Sequence, residues 1–144
     1  MTIVFNDHVH GYAIASASGT SFNLAVDICI GRVVGDKLLG GVLFQNYTGS
    51  SIGIHVAGFA DHWINRDMLW VCFHYPFVQL GCSKLFGQVP STNSKALEFN
   101  LNLGFKEVAR IEDVFPDGDL VVLAMKREEC RWLGLKPRGL KEQL

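Results

Sequence analysis

A single α/β domain, its sheet mixed but mostly antiparallel, is the fold class this sequence predicts, and three observations predict it. Residues 26–59 are repeated β-prone runs separated by glycine and polar turns, close enough in sequence for an antiparallel meander. Residues 66–80 change to a helical period, and residues 84–125 read as strand, helix, strand, turn and strand. A length of 144 residues with 49% apolar side chains supports one hydrophobic core and not two. The chain 1–144 is therefore expected to be one domain, with 126–144 as its C-terminal tail.

The elements follow in order. Thr2 to Phe5 suits a short edge strand, and Asn6 or Asp7 can cap a small helix behind it. That helix is expected to be weak, because Gly11 interrupts it and Ser16 to Ser21 reads as a loop. Cys29 to Val34 is a strand, Gly35-Asp36 a turn, Leu38 to Gln45 a strand, Tyr47 to Ser51 a turn and Ile52 to Phe59 the third strand of the meander. Alternation in this last strand puts Ile52, Ile54 and Val56 on one face and Gly53, His55 and Ala57 on the other. The second face has small residues beside one imidazole, which leaves room for a ligand to approach.

Arg66 to Leu80 has few charges and an apolar stripe of Leu69, Phe73, Phe77 and Leu80, so this helix should be largely buried. Pro76 lacks an amide proton and should bend the helix or end it a residue or two earlier. After Gly81, Lys84 to Val89 is a strand closed by Pro90 and Ser91. A clearer helix follows, with Asn93 at its cap, Ala96, Phe99 and Leu103 on one face, and Gly104 placed for a left-handed C-terminal cap. Phe105 to Phe115, the turn Pro116-Asp117-Gly118-Asp119 and Leu120 to Met125 complete the sheet. In the tail, Trp132, Leu133 and Leu135 can pin the segment to the domain or to a partner.

Composition narrows the function classes. The formal net charge of -1 gives no positive field for nucleic acid or anionic lipid. Cys29, Cys72, Cys82 and Cys130 form no CxxC pair, so they read as structural thiols of a reducing compartment. His8, His10 and His74 make no metal-ligand spacing. There is no secretory signal pattern, and no segment reaches the roughly 20 apolar residues of a membrane span. A cytoplasmic protein is the expectation.

The run Asn93 to Phe105, with its Leu103-Gly104-Phe105 exit, resembles the penultimate helix and sixth-strand entry of GNAT acetyltransferases. Upstream, Tyr75, Phe77, Leu80 and Gly81 resemble the Tyr-Ala-Phe and Leu-Gly pattern of the branch that contains ribosomal-protein N-terminal acetyltransferases, with Pro76 in place of the alanine. The likeness spans about Val26 to Met125. It implies the GNAT acyl-CoA N-acyltransferase fold, a mostly antiparallel sheet flanked by helices. It also implies acetyl-coenzyme A as cofactor, its pantetheine lying between the splayed strands Ile52 to Phe59 and Lys84 to Val89.

By the same resemblance the pyrophosphate meets the amides of the loop Ala60 to Arg66, at the start of the following helix. The family pattern there is Gln or Arg, two residues, Gly, one residue, then Gly or Ala. Ala60, Trp63 and Asn65 fall on those defining positions, and none is glycine. Glycine allows phosphate to approach amides without meeting a Cβ. Either His62 and Arg66 replace the missing nest with side-chain charge while Trp63 turns outward or stacks on adenine, or Trp63 plugs the site. The cofactor-binding candidates are Val56, Ala57, Gly58, His62, Trp63, Ile64, Asn65, Arg66, Asn93 and Phe99.

Acetyl transfer to an amine needs a neutral amine, a polarised carbonyl and a proton for the departing thiolate. His55 is the candidate base, against its plainer reading as a satisfied sheet histidine. Asn93 can orient the pantetheine or the amine, against its plainer reading as a helix cap. Asn100 stands where many family members carry a proton-donating tyrosine. An N-acetyltransferase for an amine of a small molecule or protein is thus one expectation. The alternative is a noncatalytic GNAT-like interaction module whose slot is blocked or repurposed. A homodimer is compatible with either.

Overall fold

The computed structural model describes residues 2–139. Strands β1 (Thr2–Phe5), β2 (Ile28–Val34), β3 (Lys37–Gln45), β4 (Ser51–Gly58), β5 (Lys84–Pro90), β6 (Lys106–Phe115) and β7 (Gly118–Lys126) form one sheet in the order β1-β2-β3-β4-β5-β7-β6. Each expected strand is present, with ends shifted by a residue or two. β2 and β3 meet across Gly35-Asp36, and Gly35 takes the positive φ of 60° that this tight hairpin needs. The turn before β7 is shorter than expected. Pro116-Asp117 alone makes it, since Phe115 already pairs with Gly118.

All neighbouring strands are antiparallel except β4 and β5. These two pair in parallel only at Ser51–Lys84, Ile52–Leu85 and Gly53–Phe86. Beyond Gly53, β4 continues on β3 alone and β5 continues on β7 alone. The sheet therefore opens along its middle, and the β4 amides that would have extended the ladder lose their strand partner.

Helix α1 (His8–Ser18) is longer and more regular than the sequence suggests, and it absorbs half of the expected Ser16–Ser21 loop. The Asp7 carboxylate accepts from the amides of Val9 and His10, and the Ser18 hydroxyl donates to the Ile14 carbonyl. Gly11 is not a breaker. A Cβ there would sit 2.7 Å from the Phe22 ring, so glycine serves close packing. Helix α2 (Arg66–His74) runs on into a π-helical turn, Tyr75–Gln79. Pro76 supplies no amide, and the chain widens so that Leu80 donates to the Tyr75 carbonyl instead. The α-helix itself ends at His74, two residues before Pro76, which is the second of the two expectations, and the chain continues as this wide turn. Helix α3 (Ser94–Leu103) starts at the Asn93 cap and ends at Gly104, left-handed with φ 111°.

Two layers cover the sheet. α2 buries Met68, Val71, Cys72 and Phe73 against Ile30, Val42, Phe44, Ile52, Ile54 and Leu85, and α3 adds Leu97, Phe99 and Leu103 at the margin. On the opposite face α1 buries Ile14 and Ala15 against Cys29, Leu43 and Ala57. The tail crosses the ends of α3 and α2. The Trp132 indole donates to the Leu103 carbonyl, and Trp132 and Leu133 pack on the main core. Further on, the amides of Arg138 and Gly139 donate to the Asp67 carboxylate in the first turn of α2. Lys141 and Glu142 of the tail lie outside the described residues.

Candidate active site

Beside the free half of β4 lies a cleft of roughly 550 Å³, and no residue of β5 lines it, so the slot expected between β4 and β5 is bounded on its far side by α3 instead. Its walls are the free half of β4, the loop after it, the first two turns of α3, and Ala17 near the end of α1. Of the residues expected to hold cofactor, Val56, Ala57, Gly58, His62, Trp63, Asn93 and Phe99 come together here. Ile64, Asn65 and Arg66 do not line it. Asn65 is occupied as the α2 cap, accepting from the Met68 amide at 2.9 Å, while Arg66 is exposed at the helix start. Asp61, within the loop expected to meet the pyrophosphate, and Lys95, which no sequence signal marks, put opposite charges on the two rims.

Of the positions expected for Trp63, the outward one is not taken. Its side chain is buried rather than outward, with 7% exposure, and it lies flat on the sheet below the cleft. Three strands prepare that seat. Arg32 pairs with Gly40 and Gly40 with Gly58, so the three residues form one row across β2, β3 and β4. A Cβ at Gly40 or at Gly58 would fall inside the indole, so both must be glycine for the ring to lie there. Phe99 of α3 closes over the ring, centroid to centroid 6.3 Å with planes 27° apart. Trp63 is thus a floor joining β4 to α3.

The loop is fastened from beneath. The Arg32 guanidinium, on a side chain only 5% exposed, donates to the carbonyls of His62 at 2.8 Å and Trp63 at 2.5 Å. His62 has a φ of 57°, left-handed backbone that a non-glycine residue adopts at some cost. A trans peptide aims its N–H opposite to its C=O. With both carbonyls turned to Arg32, the amides of Trp63 and Ile64 point away from its guanidinium. The signals that could have revealed this seat are the charge within the apolar run Cys29 to Val34 and the Gly40-Gly41 pair inside a strand.

His55 does not line the cleft wall. Paired with Leu43, it projects from β4 on the face covered by α1, half-buried, beside the point where the strands part. Burial pushes its imidazole below the ordinary histidine range, and the Asp27 carboxylate draws it part of the way back. Asp27 is itself buried and accepts from the Asn23 amide and the Gln45 side-chain amide, both at 2.8 Å. A neutral imidazole near pH 7 is the form that can take a proton. Asp27→Asn removes the raising influence, so the acid limb of a rate profile governed by His55 should move to lower pH. A pH–rate series on both proteins checks the direction.

On α3, the Asn93 side chain caps the helix by accepting from the Ala96 amide at 3.2 Å while also lining the cleft. Its two readings are compatible in one position. The Asn100 side chain donates to the Ala96 carbonyl at 2.8 Å, and an amide is in any case no proton donor at neutral pH. The thiols are no better suited to chemistry. Burial pushes Cys29 up to about 11 and Cys72 higher still, so both stay protonated and inert. Among the described residues no group of His, Cys, Asp and Glu could hold a metal ion, and no helix is long and apolar enough to cross a membrane.

No family model and no curated protein matches this chain. Solved structures do. The GNAT-family acetyltransferase from Bacillus anthracis superposes with a TM-score of 0.63 over 90% of this chain and 97% of its own, at 12% identity. The spermidine/spermine N-acetyltransferase SpeG from Vibrio cholerae, in complex with manganese ions, gives 0.65 over 88% and 92%, at 16% identity. The split mixed sheet flanked by helices is the GNAT acyltransferase fold. At these identities the likeness defines the fold and leaves the reaction to the site.

Proposed function

We propose that this protein is an N-acetyltransferase that takes acetyl-coenzyme A as donor and an amine of a small molecule or protein as acceptor. The observation that carries this reading is the open cleft between the unpaired half of β4 and α3, with Trp63 folded beneath it instead of filling it. An open cleft speaks against a blocked slot, and the coenzyme A titration below separates the enzyme from a noncatalytic module whose slot is repurposed.

The residues present fit the cofactor. Val56 to Gly58 and Asn93 would flank the pantetheine, and Phe99 and Trp63 give the slot an apolar end. The phosphates would have to reach past the cleft wall, to the amides of Trp63 and Ile64 and the exposed side chain of Arg66. Bound acetyl-coenzyme A supplies the activated acyl thioester. The chain's own residues supply the rest. A β4 amide freed beyond Gly53 would polarise the carbonyl, since it points into the gap where a strand partner would have been. His55 would accept the proton of an ammonium entering from the α1 face. Asn100 cannot protonate the departing sulfur, so that proton would come from water or from the protonated His55. The acetyltransferases that share the fold include enzymes named for spermidine and spermine, which favours a small amine as acceptor.

Coenzyme A titrated into the purified protein should raise its melting temperature progressively, by the mass-action term that reaches about 2.7 kcal/mol at a hundredfold excess over Kd. No shift, together with no heat on calorimetric titration, would sink the proposal.

A further inference from the structure

We infer that Arg32 is a positioning residue for the phosphate-binding loop: by gathering the carbonyls of His62 and Trp63 under the loop, it aims the Trp63 and Ile64 amides away from its guanidinium. The inference rests on the reading of the cleft as a coenzyme A site and deepens it. A loop without glycine has no intrinsic freedom to present successive amides to an anion, so another part of the chain must impose that geometry. Arg32 is placed to impose it. It is buried, it comes from β2 rather than from the loop, and one of its terminal nitrogens serves two consecutive carbonyls. The positive φ of His62 is the conformation this fastening holds in place. The row of Gly40 and Gly58 beside Arg32 lets Trp63 sink to the sheet, which brings those carbonyls within reach.

A positioning role and a purely structural one separate on two probes. Coenzyme A carries the phosphates, whereas pantetheine has the same arm without them. Arg32→Met should weaken coenzyme A by about tenfold or more while leaving pantetheine within about twofold, as expected when charge-assisted hydrogen bonds hold only the phosphate seat. Arg32→Lys, which keeps a charge but lacks the planar fork, should fall between. Calorimetry for coenzyme A and ligand-detected NMR for pantetheine provide the readouts. Equal losses on both ligands would reduce Arg32 to a support of the fold, and an unchanged affinity for coenzyme A would overturn the inference outright. Should Arg32→Met not fold, Arg32→Lys carries the same comparison. Failure of the unaltered protein to bind coenzyme A is a separate result, visible without any variant, and it removes the functional reading together with this inference.

Discussion

Trp63→Ala should lower the free energy of unfolding by about 3–5 kcal/mol, the usual cost of deleting a large aromatic from a packed interior. The size follows from what the ring touches. It rests on two glycines that offer no side chain to fill the void, and Phe99 above it loses its stacking partner. Urea denaturation gives the value directly. The coupling of the site is tested by Gly58→Ala. In the unaltered protein the new methyl collides with the indole and should destabilise by about 1–3 kcal/mol, as overpacking does. In the Trp63→Ala background the same methyl enters vacated space, and its cost should fall toward zero. Additive losses in this double-mutant cycle would mean that the ring does not occupy the Gly40–Gly58 seat in solution.

His55→Gln should reduce acetyl transfer by about 10²- to 10⁴-fold, the range for loss of a positioned general base. The assay is thiol release from acetyl-coenzyme A against a panel of amines, polyamines included. Glutamine has nearly the same size and can hydrogen-bond, so coenzyme A affinity and melting temperature should change little. His55 lies outside the cleft wall, on the α1 face of β4, which is why cofactor binding should be spared. A rate within a few fold of the unaltered protein would return His55 to the status of a sheet histidine and place the base elsewhere.

Much of the fold was legible because local patterns and tertiary demands agree. Alternation in Ile52 to Ala57 separated the two faces of β4, but the room expected on the face of His55 and Ala57 is taken up by α1 with a core cluster of its own. The Asn93 and Gly104 signals bounded α3, because caps act on the nearest turn and need no distant partner. Gly11 misled for the opposite reason. Its effect depends on Phe22, eleven positions away, and a ring pressed on a helix leaves no local trace. Pro76 announced the end of the α-helix within two residues, but not that the chain would run on as a widened turn.

The opening of the sheet and the fate of Trp63 divide the candidate site in the same way. Residue types and their spacing determined that strands, an apolar helix and a capped helix occur in this order, and that the loop 60–66 has no glycine at the expected close contact. How that loop is seated was decided only in three dimensions. Its glycines are present, but they stand on neighbouring strands as Gly40 and Gly58, where the indole needs them, and its orienting charge is Arg32 on a third strand. Register across a sheet joins residues dozens of positions apart, and no local pattern encodes that alignment.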